Sequence, residues 1–175
     1  MTESGVESAG QHFDVDTIIF ATGFKPFNVT HEIDLVGVDG LTLDEVWADH
    51  VTSYKTVMVH DFPNLFFMMG PNGTGLQSAL QTIEAQAAWT VLAVERLRDE
   101  GIDVLNPKQE FVDEFTHTVR QIFDGTTHSK GCTSWWSAET GHNHSLWPGS
   151  SDQYRTLLAD VELHEFDTSA NHPGS

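Results

Sequence analysis

The segment Asp16-Thr17-Ile18-Ile19-Phe20-Ala21-Thr22-Gly23-Phe24 constrains the fold more than any other part of the chain. An apolar run that follows an aspartate and closes on Ala-Thr-Gly reads as a buried β-strand delivered into a tight glycine turn. The same logic recurs further on. Phe62 to Met69 predicts a turn and a short buried strand, and Gly70-Pro71-Asn72-Gly73 is the loop after it. A long helix follows, with apolar positions Leu76, Leu80, Ile83, Ala87, Val91, Val94 and Leu97 at helical spacing. Thr74 and Gln77 have the spacing of a capping box, and Gly101 stands where a helix stops. A strand, a glycine turn and a long helix in that order point to an α/β fold.

The remaining elements are shorter. Residues 1–12 read as a flexible lead and 167–175 as a disordered tail, which leaves 13–166 as the folded body. Val36 to Leu41 suggests a short strand with an Asp39-Gly40 turn, and residues 52–59 are β-prone. Asn106 and Pro107 predict the N-cap and first position of a second helix. Its buried stripe is Phe111, Phe115, Val119 and Ile122, and Gly125 ends it. Residues 131–150, rich in Gly and Trp, read as an irregular hairpin, followed by a short helix from Ser151 to about Asp160.

Bulk properties narrow the function classes. The chain has 175 residues, enough for one domain with a real core. Twenty-six acidic residues against 8 basic give a formal net charge of −18. Phosphate contacts need Lys and Arg, so nucleic acid and anionic membrane are excluded as expected partners. The single cysteine, Cys132, rules out an internal disulfide framework and fits a reducing, cytoplasmic compartment. No apolar run is long enough for a transmembrane helix, and the polar start is not a signal peptide.

Three constellations have chemical content. A glycine turn running into a helix, here Asn72-Gly73-Thr74-Gly75, exposes backbone N–H groups and the positive end of the helix dipole. Such a terminus holds phosphate or developing negative charge. His142 and His144, with His128 and Cys132 nearby, match no zinc-ligand spacing and no nucleophile signature, and no metal is assigned. Among the tryptophans, Trp89 belongs to a helix core, whereas Trp135 and Trp147 in glycine-rich loops are functional candidates. The carboxylate pairs Asp44/Glu45 and Asp113/Glu114 fall on solvated helix faces and receive no acid–base role.

Three motifs occur in a fixed order: the Asp16–Phe24 strand, F-P-N-L-F-F-M-M-G-P-N, and C-T-S-W-W followed by L-W-P-G-S-S-D-Q-Y. Together they resemble the C-terminal third of class B flavoprotein monooxygenases, the Baeyer–Villiger type in particular, from about Phe13 to Phe166. The fold implied is the C-terminal part of an α/β flavoprotein with two Rossmann-like dinucleotide-binding domains. It comprises an incomplete sheet, the long helix and an irregular C-terminal hairpin.

The resemblance also implies cofactor contacts. Asp16, Ala21, Thr22 and Gly23 would line the junction of the two nucleotide domains near FAD. Asn72, Gly73, Thr74, Gly75 and Leu80 would form the turn and helix start that point at the flavin ring. Reduced flavin carries negative charge, which a helix N-terminus stabilises. Trp135 and Asn143 would lie over NADP⁺ and the substrate pocket; no catalytic residue is assigned.

The implied reaction is oxygenation: NADPH supplies electrons through FAD, and one atom of O₂ enters a ketone or a soft heteroatom. The sequence contains no G-x-G-x-x-G for either dinucleotide. The expected partner is therefore the N-terminal portion that carries those fingerprints, and the isolated chain is expected to be inactive. The alternatives are a non-catalytic interaction module without cofactor, and another FAD/NAD(P) oxidoreductase sharing the A-T-G strand.

Overall fold

The computed structural model describes residues 1–23, 33–75, 78–130, 136 and 141–169. Its core is aromatic: Tyr54, Trp89, Phe115, Trp147, Tyr154 and Phe166 are all buried in one cluster with Leu105, Val112 and Val119. Edge-on and tilted ring contacts join Tyr54, Trp89 and Phe166. Trp147 stacks on Phe115 with the rings 3° apart in orientation and packs edge-on against Tyr154. Burial of large rings in preferred offset and T-shaped geometries supplies most of the cohesion of a unit this size. Leu43, Val59 and Phe62 form a smaller satellite cluster.

The described residues form three two-stranded sheets and four α-helices. Residues 1–12, expected as a flexible lead, instead hold most of an antiparallel hairpin of β1 (Gly5–Ser8) and β2 (Gln11–Asp14). Ala9 and Gly10, both with positive φ, make its turn. After it, Val15 to Gly23 forms no regular element and pairs with no strand among the described residues, and Ile19 and Phe20 are 86% and 70% exposed. The expected buried strand over Asp16–Phe24 is therefore not formed among the described residues, where nothing offers it a ladder; Phe24 lies outside them.

The segment 35–47 turns at Asp39 and Gly40, as the Asp-Gly pair predicts, and enters α1 (Leu43–Val46) through a capping box of Thr42 and Glu45. Glu45 is thus a helix cap, and its hydrogen bonds to Thr42 hold its carboxyl below the usual carboxylate range. The β-prone run 52–59 closes on itself: Tyr54 bridges Met58 around Lys55 and Thr56, which have φ of 46° and 68°. Left-handed backbone at a β-branched threonine is a strained conformation. The F-P-N-L-F-F run forms no strand. Asn64 there mimics one, accepting from Leu105 N–H and donating to Asp103 C=O, while Phe67 N–H bonds Val57 C=O.

Thr74 and Gly75 form β3, and the 22-residue α2 (Ala79–Glu100) follows. Its end is as expected, with Gly101 left-handed at φ 66° and donating back to the last turn. Its beginning is not. Ser78 is the N-cap, Thr74 is spent on the strand, and Gln77 and Leu76 lie outside the described residues. The buried face is also the opposite one. Thr82, Gln86, Trp89 and Ala93 point inward, while Leu80, Ala87, Val91 and Val94 are exposed. Trp89, as expected, is core, and its indole N–H donates to Asp160 C=O.

Asn106 and Pro107 do not cap a helix. They close β4 (Val104–Pro107), which pairs antiparallel with β6 (Phe166–Ser169), so the start of the expected tail is a strand. The second long helix, α3 (Gln109–Asp124), then begins after Lys108 and buries Val112, Phe115, Val119 and Phe123. Phe111 and Ile122 of the expected stripe are only partly buried, because the stacked Phe115–Trp147 pair sets the inward direction one position round. β5 (Leu146–Trp147) pairs parallel with β3, and α4 (Ser151–Leu157) starts at a capping box of Ser150 and Gln153.

The two faces of the helices have separable consequences. Phe115→Ala should lower unfolding free energy by about 3–5 kcal/mol in urea titration. Val91→Ser, on the outer face of α2, should stay within about 0.5 kcal/mol of wild type. Equal losses at both positions would mean that the outer face is buried within this unit after all.

Candidate functional site: the Asn72 junction

Gly70-Pro71-Asn72-Gly73 and His144-Ser145-Leu146-Trp147 lie far apart in sequence and are zipped together in space. Asn72 N–H donates to His144 C=O at 3.1 Å and Thr74 N–H to Ser145 C=O at 3.0 Å. The Asn72 side chain, buried at 4% exposure, donates from Nδ2 to Asn143 C=O at 3.0 Å and to Leu146 C=O at 3.4 Å. Thr74 Oγ1 adds a bond of 2.6 Å to Ser145 C=O. Asn72 adopts φ 58°, a left-handed geometry that asparagine tolerates better than most residues, and this turns its amide toward the loop.

Asn143 completes the joint from the other side. Its Oδ1 accepts from Leu146 N–H at 2.8 Å, and its Nδ2 donates to Leu146 C=O at 2.7 Å. Both asparagines picked out in the sequence therefore meet, and both are occupied in holding backbone. Ser145, which sequence reasoning passed over, is fully buried here, and its hydroxyl has no hydrogen-bond partner among the described residues.

A buried amide fixes the turn from below. Gln86 of α2 accepts from Met69 N–H at 2.8 Å and donates to Thr56 Oγ1 at 3.0 Å. Thr56 Oγ1 in turn shares a 2.6 Å hydrogen bond with Tyr154, whose hydroxyl is pushed up to about 12 by burial. Gly73 packs so closely that a Cβ there would sit 2.8 Å from Gln86 Nε2. Next to this network, Tyr54 bonds Glu165, which also pairs with Lys55 at 2.8 Å. Burial, followed by the Glu165 hydrogen bond, raises the Tyr54 hydroxyl well above its ordinary range.

Beside the junction opens a cavity of about 600 Å³, lined among others by Trp47, His50, Asn72, Arg120, Phe123 and His142. That is a small-molecule volume. The His50 and His142 rings touch in its wall, with centroids 4.2 Å apart. Burial, then the neighbouring His50 and Arg120, push His142 below its ordinary value of 6.5. No group of three or more His, Cys, Asp or Glu among the described residues is placed to hold a metal.

The other sequence candidates are not gathered here. Asp16, Ala21, Thr22 and Gly23 make no hydrogen bond to another described residue and are exposed. Leu80 sits in the first turn of α2, 72% exposed. Trp135 and Cys132 lie outside the described residues. Trp147 is a core residue rather than a ligand platform: it is 4% exposed and its N–H is taken by Ser150 C=O.

Asn72→Ala should cost about 1–3 kcal/mol in chemical unfolding, since it strands buried carbonyls and puts alanine at positive φ. His142 contributes a pH dependence of defined sign. The folded chain keeps its imidazole neutral, so the contribution is present above the ordinary pKa of 6.5 and is lost as pH falls, when the unfolded chain takes the proton first. Wild type should therefore lose more stability than His142→Gln between about pH 7.5 and about pH 5.5. Parallel profiles would remove the assignment.

No protein-family model matches the chain. It is 33% identical over 170 residues to a Baeyer–Villiger monooxygenase of Pseudomonas aeruginosa, covering 95% of this chain and 31% of that protein. Among solved structures, cyclohexanone monooxygenase from Rhodococcus sp. Phi1 bound to NADP⁺ matches with a TM-score of 0.75 and 29% identity, over 92% of this chain and 32% of the other. The OTEMO complex with FAD and NADP matches with a TM-score of 0.78 and 25% identity, over 96% and 32%. The chain thus spans about a third of the length of the curated relatives it matches. In sequence and in fold the chain matches one portion of the flavoprotein monooxygenases, Baeyer–Villiger monooxygenases among them.

Proposed function

We propose that the chain serves as the C-terminal portion of an FAD- and NADPH-dependent monooxygenase that oxygenates a ketone or a soft heteroatom with O₂. The observation that carries this reading is the Asn72 junction, which sets a glycine turn a few residues ahead of a long helix against the 143–147 loop. The helix start is suited to an anion. α2 begins without a side-chain cap from Ser78 and without an acidic residue in its first turn, so that among the described residues no side chain compensates its positive dipole end. FAD, when bound, would supply the redox chemistry.

The chain's own residues would bind and orient. Gly73, Thr74, Gly75 and Leu80 would bring the start of α2 toward the flavin, with Asn72 as the positioning residue that fixes the turn. Asn143 would act on NADP⁺ through the loop it braces rather than through its own amide, whose bonds go to Leu146. Trp135 and the Asp16 and Ala21–Gly23 segment would complete the nucleotide contacts, and the cavity beside His142 is large enough for a small ketone. A cytoplasmic setting fits the single cysteine. Among the described residues, no helix is long and apolar enough to cross a membrane.

The test is reconstitution. The purified chain alone should be colourless and oxidise no NADPH. Co-expressed with a polypeptide carrying both glycine fingerprints, it should yield a flavin spectrum and NADPH oxidation coupled to an oxygenated ketone or sulfide. A flavin-loaded complex that forms no oxygenated product with any member of either class would reject the reading.

A further inference from the structure

Most of the outer face of α2 is left exposed by the described residues. Leu80, Ile83, Ala87, Val91 and Val94 fall within one arc of the helix, spread over roughly 21 Å at the α-helical rise. Leu80, Val91 and Val94 are 72%, 56% and 52% exposed. The opposite arc buries two polar residues, Thr82 and Gln86, beside Trp89 and Ala93. An ordinary surface helix has the reverse arrangement, and a contiguous apolar stripe on the outside marks a surface that meets another body. Glu84 and Glu95 border the stripe, giving it an apolar centre with a charged edge.

The occupant follows from what the chain lacks and its relatives have. About two thirds of each curated relative lies beyond the part matched here. Layers of one domain share a core, so that larger part must meet this one across surfaces left apolar. A second copy fits less well. Two copies joined face to face would set Glu84 and Glu95 against their equivalents in a chain of net charge −18.

We propose that the outer face of α2 is the docking surface for the nucleotide-binding portion of the monooxygenase fold, the body that carries the two glycine fingerprints. This rests on the functional reading above. The inverted burial of α2 is then a division of labour. Its polar face holds the Gly70–Gly73 turn through Gln86, and its apolar face seats the cofactor-bearing body against that turn.

The experiment combines the full chain with the separately produced first two thirds of a relative monooxygenase, and reads association by light scattering after gel filtration. Wild type should form a one-to-one complex. Val91→Asp should weaken it by roughly tenfold or more, with unchanged circular dichroism and thermal midpoint. The milder Val91→Ser/Val94→Ser pair serves if the aspartate disturbs folding, and should weaken association in the same direction. No association by wild type, or undiminished association by these variants, overturns the proposal. So does a wild-type homodimer that Val91→Asp dissolves, because the occupant is then a second copy. A complex that forms through this face but carries no flavin overturns the functional reading and leaves the docking surface standing. An active complex indifferent to the variants does the opposite.

Discussion

A single buried amide carries much of this structure. Gln86 lies on the inward face of α2 and is fully buried, where an unsatisfied amide would be costly. Its oxygen takes Met69 N–H and its nitrogen takes Thr56, so one side chain ties the helix to two turns that the sequence separates from it. Gly73 must lack a side chain because Gln86 Nε2 occupies that space. From Gly73 the constraint passes to Asn72, and from Asn72 to the 143–147 loop. Remove the amide and the glycine turn has no floor.

The turn so held is short of freedom in a useful way. Asn72 N–H and Thr74 N–H are paired with the 143–147 loop and Gly73 N–H with Gly70, while the start of α2 has no side-chain cap from Ser78. Chemistry at a helix start depends on its direction more than on any side chain. Holding the turn from below by Gln86 and from the side by Asn72 fixes that direction without placing a charged group in the site.

Local signals were legible where the responsible contacts are local. The Asp39-Gly40 turn, the Gly101 stop and the Ser151 helix are each decided within a few residues, and each stands where turn and cap chemistry put it. Contacts decided at long range were not. Asn106-Pro107 has the grammar of a helix start, but its partner strand lies some sixty positions on, at Phe166–Ser169, and that pairing wins. Periodicity located the apolar positions of α2 but not the way they face, because a hydrophobic pattern reports where apolar surface lies, not which body covers it. The Ile18–Phe20 run is the same case in strand form. At the site, Asn72 and Asn143 could be chosen individually by resemblance, whereas their meeting, and the parts played by Gln86 and Ser145, needed coordinates.

The left-handed backbone at Thr56 ties several of these threads into one energetic unit. Glycine or asparagine would adopt that conformation with less strain, but neither offers the hydroxyl that links Tyr154 to Gln86. Strain in the turn and hydrogen bonding in the core therefore oppose and sustain each other. Losses at Thr56, Gln86 and Tyr154 are then not separable quantities: once one link is gone the turn is free to relax, and the second loss removes less than it would alone. The three residues form one coupled contact, and the glycine turn above them shares in its stability.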